Sequence, residues 1–182
     1  RSVLWQLLVL GISGVLASTA QAAGDPAAGK SKFATCAGCH AIPGYTNAYP
    51  TYHVPRLGGQ HADYIIVALK AYQAGERKHP TMHANAFSLN EQDMQDIAAY
   101  LSSFPAAAAP YPVRGDTAAG KTKSATCAAC HGTDGNGIIP IYPRLAGQQE
   151  DYLRKALGDY QSGARTNPIM GATGTSYTIV NV

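Results

Sequence analysis

Cysteine is scarce in this 182-residue chain: there are four, all inside two short motifs, so none is left over for a disulfide framework. Charge is modest too, a formal +3 with the basic residues scattered. No dense basic run or interleaved aromatic platform is present, which argues against a nucleic-acid partner. Long apolar runs are lacking, and the single candidate, residues 3–16, is short and interrupted by Gly11, Ser13 and Gly14. Small residues ending in Ala20-Gln21-Ala22 follow it, so residues 1–22 read as a signal peptide and the mature chain is expected in the periplasm. An uncleaved signal acting as an anchor, and with it peripheral membrane association, is the alternative.

What is present is one unit written twice. Gly24-Asp25-Pro26-Ala27-Ala28-Gly29-Lys30 returns as Gly115-Asp116-Thr117-Ala118-Ala119-Gly120-Lys121. The offset is 91 residues through the cysteine motifs and 88 beyond them, because the first copy carries three extra residues. Two homologous domains follow, 23–104 and 113–182, joined at 105–112 by an alanine run between prolines that predicts an extended, semi-rigid linker.

Each copy is expected to be all-α. Asp25 or Asp116 caps a first helix that runs into the cysteines, with Pro26 at the first helical position. A second helix from about Ala62 presents Tyr64, Ile65, Ala68, Leu69 and Tyr72 on one face, repeated by Tyr152, Leu153, Ala156, Leu157 and Tyr160, and Gly75 or Gly163 ends it. A third helix, opened by Ser88-Leu89-Asn90-Glu91 as a capping box and continuing through Met94, Ile97, Ala98 and Leu101, is expected in the first copy alone.

The chemistry lies in Cys36-Ala37-Gly38-Cys39-His40 and Cys127-Ala128-Ala129-Cys130-His131. A C-x-x-C pair alone would suit a redox dithiol or half a zinc site. A histidine directly after the second cysteine gives the spacing of covalent haem c attachment, with the thiols tied to the ring and the imidazole on iron, and two motifs imply two haems. For the other face of each iron the chain offers Met82 in His79-Pro80-Thr81-Met82 and Met170 in Asn167-Pro168-Ile169-Met170. A soft thioether there favours ferrous iron. The competing readings are core-filling methionines and, at the first haem, a histidine ligand from among His53, His61, His79 and His83. Pro55-Arg56-Leu57 and Pro143-Arg144-Leu145 follow the motifs. There a proline carbonyl can accept the second N–H of the histidine, the leucine can cover haem, and the arginine can meet a propionate or remain a surface charge.

Together with the P-R-L-x-G-Q stretch and the Y-Q-x-G turn at Tyr72 and Tyr160, these motifs resemble the diheme cytochromes c4 over nearly all of the mature chain. The resemblance implies two tandem class I cytochrome c domains with facing haems, carrying electrons toward a terminal haem-copper oxidase. His40 and Met82 would hold the first iron, His131 and Met170 the second. The suppliers it implies are redox proteins such as a quinol-cytochrome c reductase complex or a dehydrogenase, and no substrate chemistry of the chain's own. The rival is a haem subunit of a redox enzyme, a peroxidase or sulfur-compound dehydrogenase. The insert at residues 42–53 resembles a c553-type, c4-like branch. After Met170 the family pattern continues with a helix like residues 88–104. Here the tail 171–182 has no capped amphipathic pattern, so the second domain is expected to lack its C-terminal helix and to be the less stable.

Overall fold

In chain order, the first repeat forms α1 (Pro26–Lys32), α2 (Ala34–His40), a hairpin of β1 (Thr46–Asn47) and β2 (Tyr52–His53), α3 (Ala62–Gln73), α4 (Pro80–Phe87) and α5 (Glu91–Ser102). The second forms α6 (Thr117–Lys123), α7 (Ala128–His131), α8 (Glu150–Ser162) and α9 (Pro168–Gly174). This computed structural model describes residues 24–106 and 114–174. The signal-peptide reading, most of the linker and the last eight residues lie outside the described residues.

Both first helices start for the predicted reason. Asp25 Oδ1 accepts from the Ala27 N–H at 2.8 Å with Pro26 at the first helical position, and Asp116 Oδ1 accepts from the Ala118 and Ala119 N–H groups. Neither helix runs unbroken into the cysteines. The first turns at Phe33 before α2, and the second stops at Ser124, short of α7. At Phe33 the break turns an aromatic ring into the core while the thiols follow on a separate segment.

Two local features are added by the structure, and one expectation is corrected. The insert is a small antiparallel hairpin, with Asn47 opposite Tyr52. The P-x-M stretches begin short helices, α4 and α9, where proline fits the first turn because its missing N–H has no intrahelical partner there. The capping box of α5 is Asn90 with Asp93: Asn90 Oδ1 accepts from the Asp93 N–H at 2.9 Å and Asp93 Oδ2 from the Asn90 N–H at 3.0 Å. Ser88, two residues earlier, is the C-cap of α4.

The core of the first repeat is Phe33, Ile65, Ile97, Ala98 and Leu101, with Leu57, Leu69 and Leu89 packed on it. Met94 is 2 % exposed, so it is a core residue, as its helical phase predicts. The helices α1 and α5 cross at backbone contact. A Cβ on Gly29 would meet the Asp96 carbonyl oxygen at 1.9 Å, and one on Gly24 the Gln95 carbonyl oxygen at 2.0 Å. Asp96, 3 % exposed, ties the crossing by accepting from the Asp25 N–H, from Gln92 Nε2 and from Lys32 Nζ at 2.6 Å. Lys32, the Asp25 N–H and Gln92 hold its carboxyl down at about 2.

The second repeat is built more thinly. Among the described residues its one buried apolar side chain is Ala156, and Ile138, Ile139, Ile141 and Ile169 are exposed. At Gly120, the counterpart of Gly29, no described atom lies within 4 Å of where a Cβ would sit.

Gly29→Ala is therefore expected to destabilise the first repeat by about 1–3 kcal/mol through overpacking. Gly120→Ala should be neutral or stabilising by up to about 1 kcal/mol, since alanine is the better helix former; thermal unfolding of both variants checks the contrast. The depressed carboxyl of Asp96 stabilises the fold above the unfolded aspartate value near 3.8, and that stabilisation fades as pH falls through about 2. In Asp96→Asn, the melting temperature at neutral pH should drop and its dependence on pH between about 4 and 2 should flatten.

Candidate haem-binding sites

The helix α2 carries Cys36, Cys39 and His40, while Cys127 caps α7, which carries Cys130 and His131. All four thiols are free and half-buried, and burial pushes the Cys36 thiol up. Each histidine is oriented through Nδ1: His40 Nδ1 is 2.9 Å from the Pro55 carbonyl oxygen, and His131 Nδ1 is 3.0 Å from that of Pro143. A carbonyl can only accept, so Nδ1 carries the proton and Nε2 keeps its lone pair. Neither Nε2 has a hydrogen bond among the described residues. Burial, against the opposing Pro55 carbonyl, lowers the His40 imidazole and favours the neutral form a metal requires. A cavity of about 240 Å³ opens beside His40, bounded by Ile42, Pro43, Val54 and Arg56.

Met82 and Met170 are half-buried in the first turns of α4 and α9. Their backbones are capped in register: the Met82 N–H donates to His79 Nδ1 and the Met170 N–H to Asn167 Oδ1. His79 Nε2 also meets the Tyr52 hydroxyl at 3.0 Å, so both of its nitrogens are engaged. The other histidines weighed as ligands are bonded elsewhere. His53 Nδ1 pairs with Asp151 Oδ2 at 2.7 Å, His61 Nε2 bonds the Asn136 carbonyl oxygen and His83 Nδ1 that of Tyr72.

The P-R-L-x-G-Q stretches have a second task that sequence reading missed: they join the repeats. Gln60 Oε1 accepts from the Arg144 N–H while its Nε2 donates to the Arg144 carbonyl, at 2.8 and 2.9 Å. In mirror fashion Gln148 Oε1 accepts from the Arg56 N–H and its Nε2 donates to the Arg56 carbonyl, at 2.9 and 3.0 Å. The Arg144 guanidinium reaches the Gly59 carbonyl at 2.6 Å, and its Nε is buried without a partner. Leu57 packs on the first core; Leu145 is half-buried. In the insert, Tyr52 is buried against Tyr152 of the other repeat, whereas Tyr49 is 95 % exposed.

A second contact lies where Arg77 and Arg165 face each other in an antiparallel bridge, closed by Lys78 N–H to the Ala164 carbonyl and Thr166 N–H to the Glu76 carbonyl. Both arginines are 7 % exposed. Arg77 lies over the rings of Tyr64 and Tyr72 and donates to the Tyr64 hydroxyl; Arg165 lies over Tyr152 and Tyr160 and donates to the Tyr152 hydroxyl. Neither forms an ion pair with a carboxylate among the described residues. Burial alone would push the Tyr152 phenol up, yet the Arg165 and Arg77 guanidiniums pull it below the ordinary phenol value. The arginines recur two residues after Gly75 and Gly163, and that repetition was the signal available in the sequence.

Free thiol pairs, imidazoles with an unengaged Nε2 and buried cationic charge that calls for anions all fit covalently bound haem with its propionates. Two such units define a tandem c-type haem protein. The chain matches the cytochrome c family over residues 26–105 and 117–178. It is 37 % identical over 185 residues to cytochrome c4 of Azotobacter vinelandii, covering 92 % of this chain and 85 % of that one. The structure of cytochrome c4 from Acidithiobacillus ferrooxidans superposes with a TM-score of 0.71 at 29 % identity, over 81 % of this chain and 92 % of that one. A thiosulfate dehydrogenase electron acceptor of Stutzerimonas stutzeri is 32 % identical over 143 residues, 72 % of this chain and 65 % of its own. The chain belongs to the cytochrome c family and, within it, to the diheme cytochromes c4. It carries two covalently bound haem c groups and works in electron transfer with redox partners. No helix among the described residues is long and apolar enough to cross a membrane.

Each interface glutamine satisfies a backbone N–H and carbonyl that would otherwise be left unpaired. Gln60→Ala or Gln148→Ala is expected to cost about 1–3 kcal/mol. The readout is denaturant unfolding of the haem-loaded protein, where weakened coupling should separate one transition into two.

Proposed function

We propose that this protein is a periplasmic diheme carrier that takes single electrons from a quinol-cytochrome c reductase complex or a dehydrogenase and passes them to a terminal haem-copper oxidase. Cys36 and Cys39 bind one haem and Cys127 and Cys130 the other. His40 with Met82 and His131 with Met170 are the axial ligands. The observation that carries this reading is the matched pair of imidazoles, each with Nδ1 bonded to a proline carbonyl and Nε2 left for iron.

When bound, each haem supplies a one-electron ferric/ferrous couple. The protein's part is to set orientation, potential and access. Pro55 and Pro143 hold the imidazole planes. The capped first turns of α4 and α9 set the Met82 and Met170 thioethers at fixed register, where they would complete the ligand set of a bound haem iron and keep small ligands from it. Leu57 and Leu145 exclude water from the haem surface, and Arg56 and Arg144 lie in the haem environment through the turn they share with the prolines.

A second reading draws on the thiosulfate dehydrogenase electron acceptor among its relatives. There the same chain serves as the haem partner docked to a sulfur-compound dehydrogenase, and co-purification with such an enzyme would favour it.

Spectroelectrochemical titration, following the sulfur-to-iron charge-transfer band of the ferric protein, tests the ligand assignment. Two one-electron waves with the band at both haems are expected. Met82→Ala and Met170→Ala should each abolish the band at one haem, lower its potential and open it to carbon monoxide. A band that survives either substitution would remove that methionine from the assignment.

A further inference from the structure

The first repeat caps its methionine turn differently from the second, and the difference involves the other repeat. We propose that Tyr52 is a positioning residue for Met82: its hydroxyl fixes the His79 tautomer that caps the Met82 turn, and through Tyr52 helix α8 of the second repeat acts on the ligand set of the first haem. This rests on the assignment of Met82 as a ligand above and adds to it a residue outside the ligand set.

Three observations carry the inference. At equivalent places, 88 residues apart, the two turns are capped by different chemistries: His79 Nδ1 accepts from the Met82 N–H at 3.3 Å, and Asn167 Oδ1 accepts from the Met170 N–H at 2.9 Å. An amide oxygen always accepts, whereas a neutral imidazole accepts only at the nitrogen without the proton. The His79 cap therefore requires the proton on Nε2, and Nε2 lies 3.0 Å from the Tyr52 hydroxyl, whose oxygen can accept it. The same offset puts Pro140, which has no hydroxyl, at the counterpart of Tyr52, and the amide cap of the second repeat needs none. Tyr52 is in turn seated by the second repeat. It is 5 % exposed, its ring centroid is 6.3 Å from that of Tyr152, and Lys155 Nζ lies 5.4 Å over the ring. Its neighbour His53 is bound through its N–H and Nδ1 to Asp151 Oδ2, at 2.9 and 2.7 Å. Asp151, Tyr152 and Lys155 all belong to α8.

Without the Tyr52 hydroxyl, the half-buried Nε2–H of His79 loses its acceptor, and the ring gains by rotating toward water or by carrying the proton on Nδ1 instead. Either change withdraws the acceptor from the Met82 N–H and loosens the turn that carries the thioether. The test uses the haem-loaded full chain, with the sulfur-to-iron charge-transfer bands assigned to each haem by Met82→Ala and Met170→Ala. Tyr52→Phe, which keeps the ring and removes the hydroxyl, should weaken the band of the first haem and let its ferrous form take up carbon monoxide faster, while the second haem keeps its band. Hydrogen exchange at the Met82 amide should speed up by about tenfold, the scale of one lost hydrogen bond. Asp151→Ala, a substitution in the second repeat, should move the first haem in the same direction. His79→Asn gives the first turn the cap that the second uses, so adding Tyr52→Phe to it should change nothing further at Met82. In wild type, nitrogen NMR of the ferrous protein should find the His79 proton on Nε2.

A wild-type His79 with its proton on Nδ1 would overturn the proposal even if Tyr52→Phe does not fold. Tyr52→Phe with an unchanged first-haem band and unchanged Met82 exchange would reduce Tyr52 to interface packing, as would an equal effect of that substitution in the His79→Asn background. Equal losses at both haems would overturn the specific link to Met82, and an unmoved first haem in Asp151→Ala would overturn the part given to α8. A band that survives Met82→Ala would instead sink the ligand assignment itself, so the two failures are told apart.

Discussion

The hydrogen bond from each ligand-candidate imidazole to a proline carbonyl is the contact on which the rest of the architecture depends. It requires the chain to return past the histidine soon after the cysteine motif, and Pro55 and Pro143 make that turn. The next residue in each turn, Arg56 or Arg144, offers its N–H and carbonyl to a glutamine of the opposite repeat. Orientation of one imidazole and docking of the other repeat are thus enforced by adjacent peptide groups. A disturbance of either turn is transmitted to both within one residue, because backbone position cannot change for one hydrogen bond and stay fixed for its neighbour.

The two repeats meet this shared requirement with unequal support. In the first, α1 and α5 cross so closely that Gly29 tolerates no Cβ, and Asp96 binds the crossing with three donors. In the second, no described atom lies within 4 Å of where a Cβ on Gly120 would sit. The interface offsets part of this difference. Tyr152 and Asp151 at the start of α8 pack against Tyr52 and His53 of the inserted hairpin, so the extra residues of the first repeat brace the second.

Local rules accounted for much of the chain and failed in specific ways. The caps at Asp25 and Asp116, the apolar stripe of α3 and α8 and the core position of Met94 were all legible, because each depends on spacing along one helix. The capping box was displaced by two residues, since Ser88 and Asn90 both satisfy the pattern and the C-cap demand of α4 claims Ser88. The break at Phe33 could not be read from propensity; burying its ring beside Ile65 and Ile97 decides it. His79, a rival ligand in the sequence, turns out to cap α4 and bond Tyr52, a partner 27 residues away.

Sequence by itself determined that the protein is a tandem repeat carrying two haem-attachment motifs with matched candidate ligands, because covalent attachment depends on residues adjacent in the chain. Tertiary structure alone decided how the repeats are joined and which arginines are buried between them. The glutamine exchange and the Arg77 and Arg165 pair connect residues more than 80 positions apart. No local pattern reports whether a polar side chain meets water or a backbone group of the other repeat, since that is fixed only when the two surfaces exclude solvent together.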